Sequence, residues 1–187
     1  MPANRRKSRV DMPLRKRETP AIMSTAPTPP RSTQTLRAEH EKMLTSLHAI
    51  AERVETLGEQ TTPQQMGLAR EVLEFVRKQI VPHARAEEYT LYPAADWAAG
   101  EGSRITEVPR FEHQLIARRC EALDKAIQAG SSPGRLMHLC YSILGLIAAH
   151  LVTTEEVVFP YLDKGFDPVR FEKEVMTPLR VERGAKR

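Results

Sequence analysis

Residues 83–93 read HARAEEYTLYP. His83 and Glu87 stand four residues apart in a stretch that otherwise reads as helix, so both side chains lie on one face. An imidazole and a carboxylate paired in this way are either half of a metal site or a charged helix face carrying a stray histidine. What the rest of the chain places at the same level decides between the two, and decides the fold with it.

Working outward, the spacing predicts four long helices. The first opens at Ser32 or Thr33 as N-cap and stops at Gly58, with His40, Met43, Leu44, Leu47, Ala51 and Val54 on one face. EQTTPQQ is a turn, and Pro63 starts the second helix, which runs to about Trp97. Its inner stripe is Leu68, Val72, Val76, Ile80, His83, Glu87 and Leu91, with a kink at Pro82, which has no N–H to offer the carbonyl of Lys78. The third helix spans about 104–129, with His113, Ile116, Ala117, Cys120, Leu123 and Ile127 inward. The fourth spans about 134–163, with Leu136, Leu139, Ile143, Leu146, His150, Val157 and Tyr161 inward. Short turns between long amphipathic helices imply an all-α, up-down-up-down four-helix bundle over residues 34–165. Residues 166–187 form a C-terminal extension with a short helix.

Each of the four helices carries one histidine on its inner stripe: His40, His83, His113 and His150. Their heights agree. His40 lies 18 residues before Gly58 and His83 lies 20 after Pro63, while His113 lies 17 before Gly130 and His150 lies 17 after Pro133. At about 1.5 Å per residue, antiparallel neighbours bring the imidazoles together to within roughly one turn. The other two histidines, His48 and His138, fall off these faces and belong to the surface.

Two carboxylates complete the set. Glu87 is in phase with His83. Glu155, in HLVTTEEVVFP, comes five residues after His150. Thr154 holds the in-phase position but is a poor ligand, so Glu155 needs a favourable rotamer or a π-bulge to turn inward. Glu88 and Glu156 are assigned to solvent or to outer hydrogen bonds. Four neutral imidazoles and two carboxylates in a bundle core suit two divalent ions of iron, manganese or zinc. The same charges buried with no counterion would be expensive.

The motifs EHEKML, HARAEEYTLYP, EHQLI and HLVTTEEVVFP, in that order and with histidine intervals of 43, 30 and 37, resemble the bacterial branch of the hemerythrin-like HHE cation-binding domains over roughly residues 35–165. The resemblance implies a non-haem diiron centre with terminal ligands at His40, His83, His113 and His150, bridged by Glu87, Glu155 and an oxo or hydroxo group. In one respect the chain departs from the oxygen carriers of that family. They have a second histidine one turn beyond the one on the third helix, where this chain has Ala117. Each iron would then hold two imidazoles, and both could keep an open position. Such a symmetric set resembles the iron–sulfur repair and nitric oxide-responsive relatives, which often have an extra N-terminal cysteine-bearing domain that is not found here.

Bulk composition agrees with one domain and tails. Hydrophobic residues make up 41% of 187, enough for a core. The net charge of +4 belongs to residues 1–33, where eight Lys/Arg stand against Asp11 and Glu18; the rest of the chain is slightly acidic. That segment also holds six of the 14 prolines and is expected to be a disordered basic tail. No aromatic residues are interleaved with its basic runs, so a nucleic-acid partner is not expected. No unbroken run of 18 apolar residues occurs, and no apolar stretch follows the twin arginines, so neither a membrane span nor export is expected and the location is read as cytoplasmic. Cys120 and Cys140 are too few for a disulfide scaffold and read as small buried thiols. Tyr89 and Tyr92 read as packing residues pointing away from the metals.

For function, the first reading is binding or sensing of a small ligand (oxygen, nitric oxide or peroxide) at an open site walled by Met43, Leu44, Leu47, Ile116 and Ala117. An enzyme turning over peroxide or nitric oxide is the second, and iron storage or delivery for repair of other iron centres is the third. A stable oxygenated band, fast turnover, or iron loss to an acceptor would separate the three.

Overall fold

The computed structural model describes residues 31–184. Five helices are present among them. We name them α1 (Gln34–Glu55), α2 (62–99), α3 (Glu107–Gln128), α4 (Pro133–Gly165) and α5 (168–184). The first four form the expected all-α bundle: α3 packs along α4, α1 and α2 also pack on α4, and α2 packs on α3. Except for residues 31–33, the expected tail lies outside the described residues.

The start of α2 follows from its sequence. Thr61 is extended, its N–H donates to Gln64 Oε1 at 3.0 Å, and Pro63 occupies the first turn, where a missing N–H costs nothing. Gly130, at φ 61°, ends α3 in a left-handed conformation that other residues avoid. The two candidate caps of α1 do something else. Ser32 Oγ donates to the carbonyl of Phe166 at 2.7 Å, and the Thr33 N–H and hydroxyl both bond Asp163. Residues 32 and 33 thus fasten the head of α1 to the end of α4.

Neither α2 nor α4 is a plain α-helix. In α2, π turns occupy Val76–Ile80 and Glu87–Leu91; in α4, a π turn occupies Thr154–Val158; α5 has one at Glu172–Met176. Every one of the four ends two residues before a proline: Pro82, Pro93, Pro160 and Pro178. Each proline lacks an N–H for the carbonyl four residues back and crowds that carbonyl, and the turn widens to a longer-range bond in response. The kink expected at Pro82 is therefore a π turn inside a continuous helix.

The extra residue in a π turn shifts the phase of everything after it. Val157 and Tyr161, expected inward on α4, are exposed, and Val158, Phe159 and Leu162 are buried in their place. On α2 the stripe from Leu68 to Leu91 is buried throughout as expected. On α3, Ala117 is exposed and not inward, because its methyl group is too short to reach α2 across the gap beside it.

Two apolar cores stack end to end. One holds Leu47, Val54, Val72, Leu123, Leu139 and Ile143; the other holds Leu36, Tyr92, Phe159, Leu162, Phe171 and Met176. The C-terminal extension is more than a short fraying helix, since α5 buries Phe171, Val175, Met176 and Leu179 in the second core. By length and composition α4 is apolar enough to cross a membrane, but its apolar side is turned to both cores. The four inner histidines lie in the layer between the cores.

Candidate metal centre

The centre is built around Glu87, whose side chain is fully buried. Its Oε1 lies 3.2 Å from Nε2 of His83 and 3.9 Å from Nε2 of His40. Its Oε2 lies 3.2 Å from Nε2 of His113 and 3.2 Å from Nε2 of His150. One carboxylate thus presents one oxygen to each pair of imidazoles. Two three-residue clusters result, His40–His83–Glu87 and Glu87–His113–His150, each with its donor atoms within 4.8 Å of one another. His48 and His138 are exposed, as expected.

Outside these clusters is a ring of supporting groups. Nδ1 of His113 donates to Glu88 at 2.9 Å, and Nδ1 of His150 donates to Glu112 at 3.2 Å. Glu112 is itself held by the Thr153 hydroxyl at 2.9 Å. Nδ1 of His83 accepts from the Arg183 guanidinium at 2.9 Å. The Tyr92 hydroxyl donates to Oε2 of Glu87 at 3.0 Å.

Of the six residues expected at the site, the structure brings five together: His40, His83, Glu87, His113 and His150. Glu155 stands outside both clusters. Its Oε1 is 3.2 Å from Nδ1 of His40, on the far side of that ring, and its Oε2 is paired with Arg37 at 3.2 Å. The in-phase Thr154 is buried and takes the inward place, because the extra residue of the π turn is accommodated after it.

Three neighbours of the site escaped the sequence reading: Tyr92, Glu112 and Arg183. Tyr92 was placed away from the metals, yet the π turn Glu87–Leu91 makes position 92, five residues after Glu87, an inward one. Pro93 was the available signal. Glu112 and Arg183 depend on packing between helices, and only Glu112, beside His113 in EHQLI, had a local cue.

The electrostatics follow from burial and convergence. Burial works against a charge on Glu87, but His83, His113 and His150 outweigh it and hold the carboxyl well below its usual range. Burial, with His83 beside it, pushes His40 down to about 3, so it is a neutral imidazole. Burial opposes a charge on His150 too, but Glu112 and Glu87 prevail and raise it to about 9. Burial and the nearby Glu87 push the Tyr92 hydroxyl up, so it stays a donor.

Several buried polar atoms here have no hydrogen-bond partner among the described residues: both ring nitrogens of His40, Nε2 of His83, Oε1 of Glu87 and the hydroxyl of Thr154. Leaving such an atom unpaired costs about 1–3 kcal/mol. In addition, the Nε2 atoms of His113 and His150 approach to 3.1 Å around one carboxylate oxygen. Converging electron pairs of this kind call for a proton or a cation between them, and the donor set fits a divalent metal.

The family profile described as Hemerythrin HHE cation binding domain matches residues 31–162. The chain belongs to the hemerythrin HHE family. No curated protein and no solved structure matches it significantly. The resemblance seen in the four motifs is thus a membership, and the hemerythrin HHE match covers all four inner histidines and Glu87. It stops before α5, so the Arg183 contact with His83 lies outside the matched residues.

Proposed function

We propose that this hemerythrin HHE protein holds two non-haem irons and binds or senses a small ligand: oxygen, nitric oxide or peroxide. The observation that carries the reading is the placement of Glu87, with one oxygen toward each histidine pair. In this reading His40 and His83 would hold one ion and His113 and His150 the other, with Glu87 offering one oxygen to each. Glu155, now beside Nδ1 of His40 and paired with Arg37, would have to leave Arg37 to serve as a second carboxylate. The irons supply open coordination positions and redox change; the chain supplies orientation and exclusion of water.

A cavity of about 320 Å³ between α2 and α3 supports ligand entry. His113 lies on its wall together with Val76, Ile80, Ile116, Ala117 and Cys120, and most of its lining is apolar, which suits an uncharged diatomic. Met43, Leu44 and Leu47, expected in the wall, do not line this cavity and sit in or against the first core.

The test is metal content after anaerobic loading with iron(II), followed by the optical spectrum on adding ligand. About two irons per chain are expected. His83→Ala and His150→Ala should each lose at least one, and His48→Ala and His138→Ala should lose none. Equal content in all four variants would sink the assignment. Rapid turnover of peroxide or nitric oxide with no stable adduct would move the reading to the enzyme.

A further inference from the structure

The four inner imidazoles differ in what holds their outer nitrogens. Nδ1 of His113 faces Glu88 and Nδ1 of His150 faces Glu112, at 2.9 and 3.2 Å. A carboxylate only accepts, so these rings keep a hydrogen on Nδ1, and a metal that displaces any proton from the inward Nε2 leaves a neutral ring behind, as a metal ligand must be. His83 is wired in the opposite sense. Its Nδ1 lies 2.9 Å from a nitrogen of Arg183, and a guanidinium only donates. Nδ1 of His83 therefore accepts, which puts a ring hydrogen on Nε2. That nitrogen points at Glu87 Oε1 from 3.2 Å but out of line for a hydrogen bond. A nitrogen bearing hydrogen has no electron pair to give a cation.

Resting on the metal centre proposed above, we infer that Arg183 is a positioning residue that holds the His40–His83–Glu87 half of the centre closed. The two halves then load in order. Glu87–His113–His150 takes the first ion, and the other half takes its ion only when Arg183 releases His83.

The placement of Arg183 suits this role. It sits in the last turn of α5, one residue before the described helix ends at Gly184. Leu179, one turn earlier, is buried and anchors the helix, so release needs only the final turn to move. Arg183 is also paired with Glu39 of α1, and its side chain is 23% exposed, so water can take over its bonds. A surface cavity lined in part by Glu39, Lys42, Lys78, Pro82, His83 and Arg183 opens directly on this contact and gives the guanidinium room to move away. Arg37 draws Glu155 outward on the same half of the centre. Among the described residues, no arginine bonds His113 or His150.

The experiment titrates the metal-free full chain with cobalt(II), followed by calorimetry and the visible d–d bands, beside nitrogen-15 spectra of the histidine rings. The wild type should show two steps, the second at least tenfold weaker. Arg183→Ala should tighten the second step at least tenfold and leave the first unchanged. In the metal-free wild type, the ring nitrogens of His83 should report hydrogen on Nε2, and Arg183→Ala should remove that preference. A merely structural role for Arg183 would change neither the step difference nor the tautomer. Two equal steps in the wild type, an unchanged second step in the variant, or hydrogen on Nδ1 of His83 in the wild type would each overturn the inference. If no cobalt binds to either protein, the metal centre itself fails, while the nitrogen spectra still decide the contact between Arg183 and His83.

Discussion

Glu87 meets four imidazoles and one phenol with two oxygens, and all of that chemistry is out of water. Its place is fixed by partners on every side: His83 one turn back on the same helix, Tyr92 one wide turn forward, and three imidazoles from other helices. Tyr92 is the least replaceable of the outer groups, because it is fully buried and its hydroxyl fixes one lobe of the carboxylate. Tyr92→Phe preserves the ring volume and removes only that donor. It should leave the helical content unchanged and lower metal affinity by roughly 10–100-fold, the usual effect of losing an outer hydrogen bond to a ligand. Competition with a chromophoric chelator measures this directly, and an affinity equal to wild type would show that the hydroxyl does not orient Glu87.

At the scale of the element, the prolines set the phase. Each widened turn adds a residue, and the stripe that follows is rotated, which is why Tyr92 and Phe159 face inward where an unbroken α-helix would turn them away. Two glycines of α4 have opposite meanings. A Cβ on Gly165 would sit 2.6 Å from the Cβ of Ala98, where the ends of α4 and α2 touch, whereas a Cβ on Gly145 would meet nothing within 4 Å. Gly165→Ala should therefore destabilise by about 1–3 kcal/mol through overpacking. Gly145→Ala should stabilise by about 0.5–1 kcal/mol through helix propensity. Urea unfolding of the two variants separates these signs, and a shift in the same direction for both would show that the helix contact is not what Gly165 serves. Across the bundle, Ala117 keeps the gap between α2 and α3 open. Ala117→Leu should fill the cavity beside His113 and slow ligand binding at least tenfold in stopped flow, with iron content unchanged. An unchanged rate would place the entrance elsewhere.

For the whole molecule, the polar layer divides the interior into two cores, and the unpaired buried atoms in that layer are a standing cost to the metal-free fold. Metal bound only to the native state returns stability by linkage, about 2.7 kcal/mol when free metal is a hundred times Kd. Chelation should then lower Tm by roughly 5–10 °C for a domain of this size. Thermal scans of metal-loaded and chelated protein test this, and coincident melting curves would mean that the layer is satisfied without metal. α5 belongs to the same whole, since it closes the second core and delivers Arg183 to His83.

By itself the sequence determined the four helices, their order and the shared level of His40, His83, His113 and His150, because helix period and turn position are local properties that a ruler of about 1.5 Å per residue can add up. It also determined Glu87, which needs only its spacing from His83. The tertiary structure decided the rest. That Tyr92 reaches Glu87, that Glu155 stands behind His40, and that Ala117 borders a cavity all depend on helix phase after a widened turn and on the distance to the next helix. Arg183 is the furthest from local legibility: its partner is 100 residues away in the chain, and only the docking of α5 brings the guanidinium to the one imidazole that it rewires.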